Sequence, residues 1–136
     1  VMNFLSQVFE EIMLKEFEEN AETPDLEEAR LFHEMLGFVH ANFSQPLSVK
    51  DIADSARLNK NRCTALFKTH TNMSPIKYVN EYRLYTAKNM ILHTDRSISD
   101  ISADVGYNQI SHFIEQFRLS YGMSPLKYRH KFGQEA

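Results

Sequence analysis

The sequence predicts an all-α fold: two tandem helix-turn-helix subdomains joined by a linker helix, plus N-terminal helices. Three observations predict it. The 136 residues hold only four prolines and four glycines, and no segment alternates as a strand does. Apolar residues recur at helical spacing along most of the chain. From Leu47 onward, one block of sequence occurs twice at a period of about 50.

The first segment, Val1 to about Glu19, carries Val1, Met2, Phe4, Leu5, Val8, Phe9, Ile12 and Met13. Wound at about 100° per residue, these fill roughly half of a helix circumference. A turn is expected around Asn20–Pro24. A second helix is expected from about Asp25 to Asn42, with Leu26, Ala29, Leu36, Val39 and Phe43 on one stripe. Pro46 is expected to end it, because the residue before a proline is pushed out of the helical region.

The first copy of the repeat reads LSVKDIADSARLNKNRCTALFKTHTNMSPIKYV, and the second reads SISDISADVGYNQISHFIEQFRLSYGMSPLKYR. Ser48, Asp51 and Ile52 match Ser97, Asp100 and Ile101. Phe67, Met73, Ser74, Pro75, Lys77 and Tyr78 match Phe117, Met123, Ser124, Pro125, Lys127 and Tyr128. Each copy has the signals of three helices. Ser48 and Ser97 suit N-caps, and the aspartates three residues later suit the positive end of a helix. Short helices at about 49–56 and 98–105 follow, then a tight turn, then helices at about 60–70 and 109–120. Ser74-Pro75 and Ser124-Pro125 each read as an N-cap with proline at the first helical position. The helix from about Pro75 to Leu92 links the copies.

A short helix, a tight turn and a longer helix is the helix-turn-helix plan. It needs a small residue where the helices cross and a positive φ in the turn. The first copy has Ala53 but Arg57, and the second has Ser102 and Gly106. Arg57 in a left-handed conformation costs roughly 1–2 kcal/mol.

Charge divides the chain at the same place as the repeat. Residues 1–45 hold two basic and ten acidic side chains, net −8, while residues 46–136 hold thirteen basic and eight acidic, net +5. The overall −3 therefore conceals a basic half suited to a polyanion. The two domains expected are an acidic helical linker or dimerisation segment, 1–45, and a repeat domain, 46–136. Its first helix-turn-helix spans about 48–71, its linker helix about 75–92 and its second helix-turn-helix about 97–120.

Residues 46–132 resemble the DNA-binding domain of the AraC/XylS family of bacterial transcriptional regulators. The resemblance rests on Arg83, Ala87, Ile98, Ile101, Val105, Gly106 and Tyr107. It continues through Phe113, Phe117, Arg118, Gly122, Ser124, Pro125, Tyr128 and Arg129. It implies seven helices in two subdomains and two recognition helices, Lys60–His70 and Gln109–Ser120. These would enter successive major-groove segments roughly 34 Å apart. It also implies activation through contact with RNA polymerase.

If Cys63, Leu66 and Phe67 face inward, Asn61, Arg62, Thr64, Ala65 and Lys68 face the groove. If Phe113 and Phe117 face inward, Gln109, Ser111, His112, Glu115 and Gln116 do so. Ala65 reaches only a thymine methyl, and Glu115 accepts from cytosine N4 but repels phosphate. Expected base readers are Asn61, Arg62, Thr64, Ala65, Gln109, Ser111, His112, Glu115 and Gln116. Expected phosphate anchors are Ser48, Lys60, Lys68, Ser97 and Arg118, with Lys50 and the backbone N–H groups near Ser74 and Ser124 contributing. The paired Phe67/Phe117 and Tyr78/Tyr128 are expected in the core, with the tyrosine hydroxyls hydrogen-bonded. Arg83 is expected to pair with Glu81 or a helix end, and Arg129 to be structural.

Neither His112/Glu115 nor His33/Glu34/His40 forms the HExxH metal pattern. Cys63 is the sole cysteine and reads as a buried hydrophobe, so no metal, cofactor or catalytic residue is expected. No apolar run reaches 18 residues and no signal peptide is visible, so the expected site is the cytoplasm, without a membrane partner. The N-terminal apolar arc is read either as a homodimer or interdomain helix within residues 1–45, or as packing on residues 25–43. Its acidity also suits masking of the basic face. The alternative function is a protein-interaction module of the same fold that antagonises a related regulator.

Overall fold

The structure is a computed structural model and describes residues 26–133 of the chain. The helix expected over residues 1–19 and the turn at 20–24 lie outside the described residues. Those described form seven helices and no strand. They are α1 (Leu26–Asn42), α2 (Val49–Ser55), α3 (Lys60–Thr71), α4 (Pro75–His93), α5 (Ile98–Asp104), α6 (Ile110–Tyr121) and α7 (Pro125–Phe132).

The expected caps are present. The hydroxyl of Ser48 accepts from Asp51 N–H at 3.1 Å, and that of Ser97 accepts from Asp100 N–H at 3.0 Å. Ser74 and Ser124 accept from Lys77 and Lys127 N–H, each at 3.2 Å, ahead of the prolines that open α4 and α7. Each such cap contributes about 1 kcal/mol by satisfying a donor that the helix leaves open.

The chain divides into two compact units. The described part of the first holds residues 26–42 and 47–80, and that of the second holds 43–46 and 81–133. In the first unit, Phe32, Met35, Leu36 and Val39 of α1 are buried, as are Ile52, Ala53, Cys63, Leu66, Phe67, Tyr78 and Val79. The Phe32 ring meets Phe67 edge-on at 5.2 Å, and Phe67 meets Tyr78 at 5.6 Å. Thus α1 supplies core to the first helix-turn-helix rather than standing apart at Pro46. The second unit buries Leu84, Ala87, Ile91, Ile101, Val105, Phe113 and Phe117 together, with Tyr107, Tyr121 and Tyr128 packed against them.

Three expectations need correcting. First, α1 ends at Asn42 as expected, but Pro46 is not what ends it, since the last helical residue lies four positions before the proline. The Asn42 side chain donates to Phe38 O at 2.9 Å, and beyond it the carbonyls of Phe43 and Gln45 accept from Arg83. Second, Leu26 is 59% exposed in the first turn of α1, Phe43 lies past its end, and Phe32 and Met35 carry the buried face instead. Third, Tyr78 is buried with its hydroxyl 2.9 Å from His40 Nε2, but Tyr128 is only half-buried and its hydroxyl makes no hydrogen bond among the described residues.

The two turns between helices share one hydrogen-bond pattern. Arg57 and Gly106 N–H donate to Asp54 O and Ala103 O, each at 3.1 Å. Leu58 and Tyr107 N–H donate to Ala53 O and Ser102 O, at 2.9 and 3.0 Å. Arg57 has φ 59° and Gly106 φ 100°, so both turns use the left-handed region. The arginine pays about 1–2 kcal/mol for it. Gly106 has a second constraint: a Cβ there would lie 3.0 Å from Ser44 O and 3.2 Å from Arg83 Nε. Ala53 and Ser102, the small residues expected at the crossings, are both buried.

Candidate nucleic-acid interface

Helices α3 and α6 are each two-faced. In α3, Cys63, Leu66 and Phe67 turn inward. That leaves Asn61, Arg62, Ala65 and Lys68 exposed at i, i+1, i+4 and i+7, which is one stripe of a helix. Thr64 is half-buried at the margin. In α6, Phe113 and Phe117 turn inward. Ser111, His112, Glu115 and Arg118 are exposed, and Gln116 is half-buried. Gln109 is exposed but is the N-cap residue, not the first residue of the helix as expected.

The helix starts differ. Asn59 caps α3, its side chain accepting from Arg62 N–H at 2.8 Å. Gln109 makes no side-chain cap bond, so the first N–H groups of α6 lack that partner. Asn59 escaped the sequence reading, although asparagine just before a helix is a recognised cap signal. The ends match: α3 closes on Asn72 at φ 60° and α6 on Gly122 at φ 84°, with N–H bonds to Lys68 O and Arg118 O.

The cations are unequally available. Arg62 Nη2 lies 3.1 Å from Glu28 Oε2 on α1, within the first unit. Lys50 pairs with Asp54 at 2.7 Å, and Arg96 with Asp104 at 2.5 Å. Lys60, Lys68 and Arg118 are exposed and form no ion pair among the described residues. Ser48 is engaged in its own cap. Its N–H donates to Asp51 Oδ2 at 3.0 Å, leaving only the hydroxyl proton for a phosphate and a carboxylate beside it. Those bonds from Ser48 hold the Asp51 carboxyl below its usual range. At Ser97 only the hydroxyl half of this exchange is made.

His112 rests edge-on against Tyr107, with ring centroids 5.4 Å apart, and Tyr107 in turn meets Phe113 at 5.3 Å. Core packing thereby orients an exposed residue of α6. Arg83 takes the helix-end course: Nε donates to Phe43 O at 2.8 Å and Nη2 to Gln45 O at 2.9 Å. Arg129 does the same for the loop before α5, reaching Ile91 O at 2.9 Å and Arg96 O at 2.7 Å. Arg83 thus acts on two carbonyls beyond the end of α1, and Arg129 on one in the last turn of α4 and one in the loop after it.

Cys63 is fully buried, and desolvation pushes its thiol up to about 11. Among the described residues, no group of three or more His, Cys, Asp or Glu side chains is placed to hold a metal ion. No helix among them is long and apolar enough to cross a membrane.

Two helix-turn-helix units in tandem, each presenting a polar helix face, define the class. A family profile described as "Helix-turn-helix domain" matches residues 52–131. An uncharacterized HTH-type transcriptional regulator of Bacillus subtilis (strain 168), YdeC, is 25% identical over 92% of this chain and 43% of its own length. The lactose operon transcription activator of Staphylococcus xylosus is 34% identical over 70% of this chain and 34% of its own. A crystal structure from Chromobacterium violaceum, a transcriptional regulator of the AraC-type DNA-binding-domain group, superposes with TM-score 0.73. It is 27% identical, covering 82% of this chain and 99% of that one. The chain belongs to the AraC/XylS family and carries its helix-turn-helix DNA-binding domain. It spans less than half the length of these two curated relatives.

Proposed function

We propose that the chain reads double-stranded DNA in a sequence-specific manner as part of a bacterial transcription regulator. Helices α3 and α6 enter adjacent major-groove segments. Asn61, Arg62, Thr64 and Ala65 read bases from the first, and Gln109, Ser111, His112, Glu115 and Gln116 from the second. Lys60, Lys68, Ser97 and Arg118 anchor phosphates. The observation that carries the reading is the pair of polar helix faces, set by the inward Cys63, Leu66 and Phe67 in α3 and the inward Phe113 and Phe117 in α6. Activation through RNA polymerase fits the activator named among the relatives, and homodimerisation through residues 1–45 fits the apolar arc at the N-terminus. The absence of a spanning helix among the described residues suits work on DNA in the cytoplasm.

Titration onto promoter and mixed-sequence duplexes across a salt series tests this. Specific binding should exceed non-specific binding by about 10³ or more, with a log–log slope reflecting several phosphates. A second reading, the interaction module that antagonises a relative, draws support from Glu28 on Arg62 and from the carboxylate of Glu115 on the reading face. Flat salt dependence without sequence preference would favour it.

A further inference from the structure

Arg57 occupies a position that the fold reserves for positive φ. The equivalent position in the second turn is Gly106, where φ is 100° and a side chain has no room. Glycine would relieve the first turn too, yet a long cation stands there. Nothing among the described residues offsets the strain. The Arg57 side chain is exposed and makes no hydrogen bond, ion pair or ring contact among the described residues. A residue held in a sparsely populated conformation and unused by its own fold points to use by something outside it.

The surroundings say what that something is. Arg57 lies two residues before Asn59, which caps α3, and Lys60 and Arg62 form the first turn of that helix. Arg62 is held by Glu28, so Arg57 and Lys60 are the cations at this end of α3 that form no ion pair among the described residues. In a helix-turn-helix, the first helix crosses the sugar–phosphate backbone and the start of the second meets the bases, so the turn between them lies at the backbone edge of the groove. An extended guanidinium suits a phosphate oxygen pair better than it suits a base edge beyond the helix end. We propose that Arg57 is a phosphate anchor that fixes the register of α3 in the groove, and that its strained backbone is kept for that contact. The proposal rests on the DNA-binding reading above.

The whole 136-residue chain is titrated onto a mixed-sequence duplex across a salt series, alongside R57G, R57K and R30Q. R30Q removes the same charge from the acidic face of α1. Loss of one counterion-releasing contact should make the R57G slope shallower by about 0.9. Its affinity should fall roughly fourfold to eightfold at about 0.1–0.2 M salt. Its thermal midpoint should hold or rise, since glycine removes the strain. R57K should keep the slope. If R57G binds within about twofold of R30Q at unchanged slope, while the unaltered chain binds normally, the anchor is overturned and the DNA reading stands. A lowered midpoint for R57G would also overturn it, making Arg57 a structural residue. If the unaltered chain shows no salt-dependent binding, both readings fall.

Discussion

Glu28 and Arg62 meet across 34 positions of sequence, carboxylate to guanidinium at 3.1 Å. The contact ties α1 to a cation on the exposed face of α3, the one arginine among the proposed base readers there. Both side chains are partly exposed, so the pair contributes about 0–1 kcal/mol to stability. Its larger effect is on what Arg62 is free to do. An anion beside a reading helix repels phosphate and competes for the guanidinium.

Glu28→Gln should therefore raise DNA affinity by roughly threefold to tenfold at low salt and steepen the salt slope by about one. Its unfolding midpoint should barely move. Titration at several salt concentrations checks this. Weaker binding by the variant would show that Glu28 positions Arg62 instead of competing for it.

Base readers and phosphate anchors should separate in a binding-site selection. Arg62→Ala and Gln116→Ala should each relax preference at one or two positions, by about 1–3 kcal/mol of discrimination. Lys68→Ala should weaken all sequences alike. Equal loss on every sequence for Arg62→Ala would remove it from the readers.

Glycine matters unequally in the second unit. Gly106→Ala forces positive φ on alanine and drives a Cβ toward Ser44 O and the Arg83 guanidinium. A loss of about 3 kcal/mol or more is expected in urea unfolding. Gly122 also has positive φ, 84°, but its Cβ would meet nothing within 4 Å. Gly122→Ala should lose only about 1 kcal/mol. Equal losses would mean that crowding at Gly106 is relieved by movement of Arg83.

His40 sets a pH dependence. Desolvation lowers its pKa below the usual 6.5, so the fold favours the neutral ring beside Tyr78. The unfolded chain binds that proton more readily. Stability is therefore full above about pH 6.5 and is lost as pH falls through the lower folded value. His40→Gln, which cannot titrate, should flatten thermal midpoints between about pH 7 and 5. A profile as steep as that of the unaltered chain would assign the effect to another group.

Much of this was legible in sequence because its causes are local. The serine caps, the Ser-Pro starts and the small crossing residues act within four positions of themselves, and the repeat displays them twice. The role of α1 was not legible. An apolar stripe shows that a helix needs a partner, but not which one, and Phe32 finds Phe67 and His70 far along the chain. The end of α1 at Asn42 was legible but its cause was not, because Pro46 is a visible breaker, whereas Asn42 and Arg83 act through bonds that spacing does not reveal. On the reading faces, helical periodicity separated inward from outward positions but gave no sign that Glu28 would sit against Arg62. Half-burial of Thr64 and Gln116 depends on neighbouring elements and lay beyond reach for the same reason.

Cys63 gives the first unit a private reporter. The chain has one thiol, it lies in that unit's core, and the second unit has none. With its ionisation pushed up to about 11 and no solvent path to the sulfur, a thiol reagent at neutral pH consumes it only when the unit opens. The labelling rate is thus a measure of that opening alone. Followed with and without DNA, it reads how firmly the duplex holds the first helix-turn-helix shut.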